Sequence, residues 1–177
     1  MELLVHKYWG LFRYYAYWYM MPQTELFTAD EVCDGIFVGD IKSAFHRNGL
    51  KERGITHVVC MLPGLPNIHP EIAYLQLPSL DDASFDISVY FEQALAFIGT
   101  ALFSGNVLVH CSCGVSRSAT IAALYEMSRS AEDPDEVINR FRQARPVICP
   151  NPGFFLHLRN WHLARMLSRA MSSTSPL

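Results

Sequence analysis

The run Asn106-Val107-Leu108-Val109-His110 passes without interruption into Cys111-Ser112-Cys113-Gly114-Val115-Ser116, and then into Arg117-Ser118-Ala119-Thr120, where a helix can begin. A short apolar segment rich in β-branched residues reads as a buried strand, and one apolar at successive positions needs cover on both faces. Gly114 relieves the turn that must follow. The unit is therefore strand, loop and helix inside a layered α/β domain. The loop lies off the carboxyl end of a strand, where such sheets place their ligands.

The remaining segments alternate in the same sense. Glu31-Val32-Cys33 and Ile36-Phe37-Val38 flank Asp34-Gly35, a strong hairpin signal. Ile41 to Arg53 reads as helix with a break near Asn48-Gly49, and Ile55 to Leu62 and Ile72 to Leu77 read as strands. Asp86 can cap a helix reaching about Phe103, and a second helix follows the Cys111 loop through Tyr125. Asp133-Pro134 opens another that ends near Arg145-Pro146, and a last helix spans about Gly153 to Arg169. The expected fold class is α/β, with a central, mainly parallel, twisted sheet flanked by helices on both faces.

Composition narrows the function classes. Half of the 177 residues are hydrophobic and 18% are charged, which suits one domain with a sizeable core. With 14 basic and 17 acidic side chains the formal charge is −3, which argues against a general nucleic-acid binder. Five scattered cysteines fit neither a disulfide framework nor a zinc site, so a reducing compartment is expected. Met1 to Met21 is crowded with Tyr, Trp and Phe but interrupted by His6, Lys7 and Arg13, too broken for a spanning helix or a signal peptide. Contact of this arm with a membrane interface is the alternative to an arm packed on the domain or loose. The expected divisions are an aromatic arm over 1–24, a catalytic domain over 25–170 and a flexible tail over 171–177, with fraying from Ser168 onward.

The chemistry converges on the Cys111 loop. Successive backbone N–H groups in a tight loop at a helix N-terminus form a concavity suited to an anion. Arg117 adds a planar fork that matches two phosphate oxygens. The same dipoles favour thiolate at Cys111, and a nucleophilic sulfur beneath a cradled phosphate is a phosphoryl-transfer site.

His110-Cys111, five intervening residues and Arg117-Ser118 resemble the signature loop of the cysteine-dependent protein tyrosine phosphatases. HCSCGVSRS is similar to the dual-specificity branch. ADEVCDGIFVGD, GITHVVCML and CPNPGFFLHL resemble further segments of that family, so the likeness covers roughly residues 28 to 168. It implies a protein tyrosine phosphatase-like fold and a role for each matching residue. Cys111 would be the nucleophile and phosphocysteine, and Arg117 would hold the phosphate and stabilise its transition state. Ser118 would donate a hydrogen bond to the sulfur. His110 would stay off the phosphate and shape the loop and its electrostatics. Ser112, Cys113, Gly114, Val115 and Ser116 would supply backbone donors, their side chains mattering less than their conformation. Asn151, in a Pro-Asn pair similar to the family's, would support the loop rather than touch substrate.

Phosphoryl transfer from a protein oxygen also needs a general acid that then activates water. The stretch Leu80-Asp81-Asp82-Ala83-Ser84-Phe85-Asp86 offers three carboxylates. Family members place the acid five residues before the Asp or Asn that starts the next helix, which selects Asp81 over its rival Asp82. No cation lies between Cys111 and Arg117. By resemblance this favours phosphoprotein over inositol lipid or RNA, and a shallow pocket admitting phosphotyrosine, phosphoserine and phosphothreonine. The implied protein is a small, atypical dual-specificity phosphatase, cytoplasmic with the nucleus as a second compartment, using no metal or organic cofactor. A catalytically weak phosphoresidue reader, and a phosphoinositide or RNA phosphatase of the same superfamily, remain the alternatives. Cys33, Cys60 and Cys149 are expected to take no part in chemistry, and Cys113 to be a neutral loop residue. Reversible oxidation of a low-pKa Cys111 is also expected.

Overall fold

Val107, Leu108 and Val109 form the middle of β5 (Asn106–His110), the central strand of a five-stranded sheet in the computed structural model, which describes residues 26–173. The spatial order is β1 (Asp30–Cys33), β2 (Ile36–Gly39), β5, β3 (Ile55–Cys60) and β4 (Ala73–Gln76). The hairpin pair β1/β2 is antiparallel, whereas β2/β5, β5/β3 and β3/β4 are parallel. Side chains alternate between two cores. Val107 and Val109 join Val38, Val59 and Met61 beneath the larger helical layer, while Leu108 joins Phe37, Ile55 and Val58 on the opposite face. Both faces of β5 are thus dry, which accounts for its unbroken apolar run.

The larger layer holds α3 (Phe91–Ala101), α4 (Arg117–Ser130), α5 (Pro134–Ala144) and α6 (Pro152–Ser173). The short α1 (Ile41–Phe45) and α2 (Arg47–Glu52) cover the other face through Ala44 and Leu50. The expected α/β fold with helices on both faces is the one found. Asp133 and Glu136 form a reciprocal cap with Pro134 in the first turn of α5, as Asp133-Pro134 led one to expect.

Besides shifts of one or two residues at the ends of β3, β4 and α3, four boundaries differ from the sequence reading. The helix break falls at His46, just before Asn48-Gly49, because the His46 imidazole accepts from Gly49 N–H and caps a new helix. Asp86 caps a single 3-10 turn, Ile87–Tyr90, that leads into α3. The helix after the Cys111 loop continues to Ser130, past Tyr125. The last helix runs through Ser173, so Ser168–Ser173, expected to fray, and Met171–Ser173, expected as tail, are helical. Nothing in that stretch breaks a helix, and the Ser172 hydroxyl satisfies the Ser168 carbonyl at 2.7 Å. The aromatic arm lies outside the described residues.

Candidate active site

Every group in the signature loop hangs from the carboxyl end of β5. Cys111 follows that strand directly, and Ser116 ends the loop at the first turn of α4. Neighbouring backbone grips the loop: Cys111 N–H donates to Gly39 O, Ile41 N–H to Ser112 O and Cys149 N–H to Val115 O. Gly114 adopts φ +67°, and an added Cβ would stand 2.6 Å from the Gly39 carbonyl carbon. Only glycine meets both demands.

The sulfur of Cys111 lies at the bottom of this cup, with the residue 1% exposed. Gly114 N–H donates to it at 3.2 Å, and the Ser118 hydroxyl lies 3.3 Å away. Burial alone would raise the thiol pKa. Hydrogen bonds from the Ser118 hydroxyl and from Ser118 and Val115 N–H, together with the Arg117 charge, outweigh it and bring the pKa below the ordinary thiol value. The structure therefore brings Cys111, Ser118 and the loop amides together.

Arg117 is 8% exposed. Its guanidinium donates to Ser79 O at 3.0 Å and to Ser112 Oγ at 3.1 Å. Its Nε is buried without a hydrogen-bond partner among the described residues and faces an Asp81 carboxylate oxygen at 3.6 Å. Asp81 in turn accepts from Ser116 Oγ at 2.7 Å and Asn151 Nδ2 at 2.9 Å. Asp82 turns the other way: its carboxylate takes the Ser84 hydroxyl and N–H, and these bonds lower its pKa. Asp86 is occupied as a cap, accepting from Ser88 N–H and hydroxyl. Of the three carboxylates, only Asp81 joins the cluster around Arg117 and Ser116.

Four details add to or depart from the sequence reading. Loop side chains matter beyond their backbone, because Ser112 Oγ receives Arg117 and Ser116 Oγ links Asp81 with Asn151 N–H. Asn151 supports the loop through Ser116, as expected, and also grips Asp81 directly. His110 is fully buried and its pKa is pushed down to about 4, mainly by burial, so it acts on the loop as a neutral ring with no positive charge. Arg145 was missed. Its guanidinium reaches the carbonyls of Cys113 and Gly114 from behind the loop. The signal was present, since Arg145 extends the buried stripe Pro134, Val137, Ile138 and Phe141, where a cation needs a reason.

This arrangement defines a class: an α/β domain with inward amide hydrogens and a guanidinium gathered around a buried thiol, a geometry suited to an anion, and a carboxylate beside it. Comparison with known proteins specifies it. Residues 36–163 match the family model for the dual specificity phosphatase catalytic domain. A probable dual specificity protein phosphatase of Dictyostelium discoideum is 35% identical over 162 residues, covering 90% of this chain and 76% of that protein. A mouse putative dual specificity phosphatase solved with zinc tungstate superposes with a TM-score of 0.77 at 27% identity, over 84% of this chain and 95% of its own. The human tyrosine phosphatase-like serine/threonine/tyrosine-interacting protein gives 0.75 at 27% identity, over 80% and 99%. The chain belongs to the dual specificity phosphatase family and is a phosphatase.

Proposed function

We propose that the chain hydrolyses phosphotyrosine, phosphoserine and phosphothreonine in proteins through a phosphocysteine at Cys111. The observation that carries this is the sulfur itself: a buried thiol held toward ionisation by amide hydrogens, a hydroxyl and a guanidinium. In the first step Cys111 attacks phosphorus, the S–P bond forms as the P–O bond breaks, and Asp81 gives a proton to the departing oxygen. The loop amides and Arg117 hold the charge on the equatorial oxygens, with Arg117 Nε, which makes no hydrogen bond among the described residues, available to one of them. In the second step Asp81 takes a proton from water, which attacks phosphorus and releases phosphate. Ser118 stabilises the departing thiolate.

Two further features support a phosphoprotein substrate. The loop between Cys111 and Arg117 holds no cation for extra phosphates. Relatives named for an activity include dual specificity protein phosphatases, among them the Dictyostelium discoideum protein at 35% identity. We place the catalytic domain at residues 25–170, with α6 carrying it three residues further, through Ser173. The cytoplasm suits it, since a reducing compartment keeps the exposed Cys113 and Cys149 as free thiols. Among the described residues no helix is long and apolar enough to cross a membrane. Hydrolysis of para-nitrophenyl phosphate and of phosphopeptides, abolished in Cys111→Ser, tests the proposal. Binding of phosphopeptides without turnover by the unmutated chain would favour a reader, and selective turnover of phosphoinositides a lipid phosphatase.

A further inference from the structure

Arg145 stands directly behind the phosphate loop, at the end of α5, and is 8% exposed. Its Nε donates to Gly114 O at 2.8 Å and its Nη2 to Cys113 O at 3.2 Å. Its Nη1 donates to Thr28 O at 2.7 Å and pairs with Asp30 Oδ2 at 2.6 Å, which fixes the guanidinium plane from the far side. In a trans peptide the C=O and the following N–H point in opposite directions. Holding Cys113 O outward therefore turns Gly114 N–H inward, where it meets Cys111 Sγ at 3.2 Å. Holding Gly114 O outward likewise turns Val115 N–H inward, and that N–H also bonds the sulfur.

Gly114 sits at positive φ with no Cβ to oppose rotation, so its backbone restrains the two flanking peptide units least and their hydrogen bonds must do so. A flip of either would replace an inward N–H with an inward carbonyl oxygen, which repels both thiolate and phosphate. We infer that Arg145, locked by Asp30, is the positioning residue that keeps the Cys113 and Gly114 carbonyls out of the cradle and its N–H groups facing the phosphate. This rests on the reading of Cys111 as the phosphate acceptor. Lysine cannot replace it, because one ammonium lacks the planar fork that spans two carbonyls and a carboxylate.

The test uses the full chain and its Arg145→Met, Arg145→Lys and Asp30→Asn variants. The pH dependence of iodoacetamide alkylation at Cys111, located by fragment mass spectrometry, gives the thiol pKa. Inhibition by inorganic phosphate gives the affinity of the cradle. In Arg145→Met the thiol pKa should rise by about one unit and the phosphate inhibition constant by about tenfold. Arg145→Lys and Asp30→Asn should shift both in the same direction by less. Asp30 is half exposed, so its variant keeps the test open if Arg145→Met fails to fold. A depressed thiol pKa and an inhibition constant that survive unchanged in folded Arg145→Met, or in Asp30→Asn where only that variant folds, would overturn this inference alone. An ordinary thiol pKa with no turnover in the unmutated chain would instead overturn the reading of Cys111 beneath it.

Discussion

Three buried or half-buried thiols in this molecule show that burial by itself works against the chemistry. Desolvation raises the pKa of Cys33 well above the ordinary range and that of Cys60 to about 12. Cys111 feels the same penalty, yet its pKa falls, because amide hydrogens, the Ser118 hydroxyl and Arg117 all point at its sulfur. Removing one donor should move it back: Ser118→Ala should raise the pH of the acid limb of kcat/KM and slow breakdown of the intermediate. The two neighbouring carboxylates should separate as cleanly. Asp81→Asn should lower kcat by about a hundredfold with poorly departing phosphoserine substrates, whereas Asp82→Asn should stay within about threefold. Steady-state rates on a phosphopeptide series of graded leaving groups decide it, and equal losses would return Asp82 to contention. Cys111, Arg117, Ser118 and Asp81 were already candidates in the sequence, because each falls at a position that the resemblance to the phosphatase signature and its acid loop covers. The sequence did not reveal the Ser116–Asp81–Asn151 linkage, which joins residues 35 and 70 positions apart through the fold.

At the scale of elements, the cradle is held because the end of β2 and the start of α1 bond its backbone, Gly39 O accepting from Cys111 N–H and Ile41 N–H donating to Ser112 O. Gly114 is pressed against the end of β2, so Gly114→Ala meets both a left-handed backbone and the Gly39 carbonyl. That substitution should cost about 1–3 kcal/mol of stability and most of the activity, read by urea unfolding and by turnover together. An active, fully stable variant would mean that the loop does not need this conformation. The strands and the Asp133 cap were legible because alternation and capping are local signals. The break at His46 was not, since it depends on an imidazole accepting from Gly49 three residues on. For Arg145 the apolar stripe of its helix marked a cation in need of a partner, but not which one, since its partners on β1 and in the loop lie 115 and 31 residues away.

At the scale of the whole molecule, the buried histidine behind the loop couples stability to pH. His110 titrates near 6.5 when unfolded and at about 4 when folded. Below 6.5 the unfolded chain takes up a proton that the native state refuses, so stability is full above 6.5 and falls as pH drops toward 4. From pH 7 to pH 5 this amounts to about 2 kcal/mol from His110, with His57 and His69 adding in the same direction. Urea midpoints at the two pH values should show that loss in the unmutated chain and a smaller one in His110→Asn. Identical losses would place the acid sensitivity elsewhere. The most direct test of the account as a whole is rapid acid quenching of Asp81→Asn during turnover of para-nitrophenyl phosphate. That leaving group departs without a proton while hydrolysis of the intermediate lacks its base, so the phosphorylated enzyme should accumulate. Mass spectrometry should then find one phosphoryl group on Cys111, absent in the Cys111→Ser, Asp81→Asn double variant. Turnover with no label on the enzyme, or a label on another side chain, would contradict it.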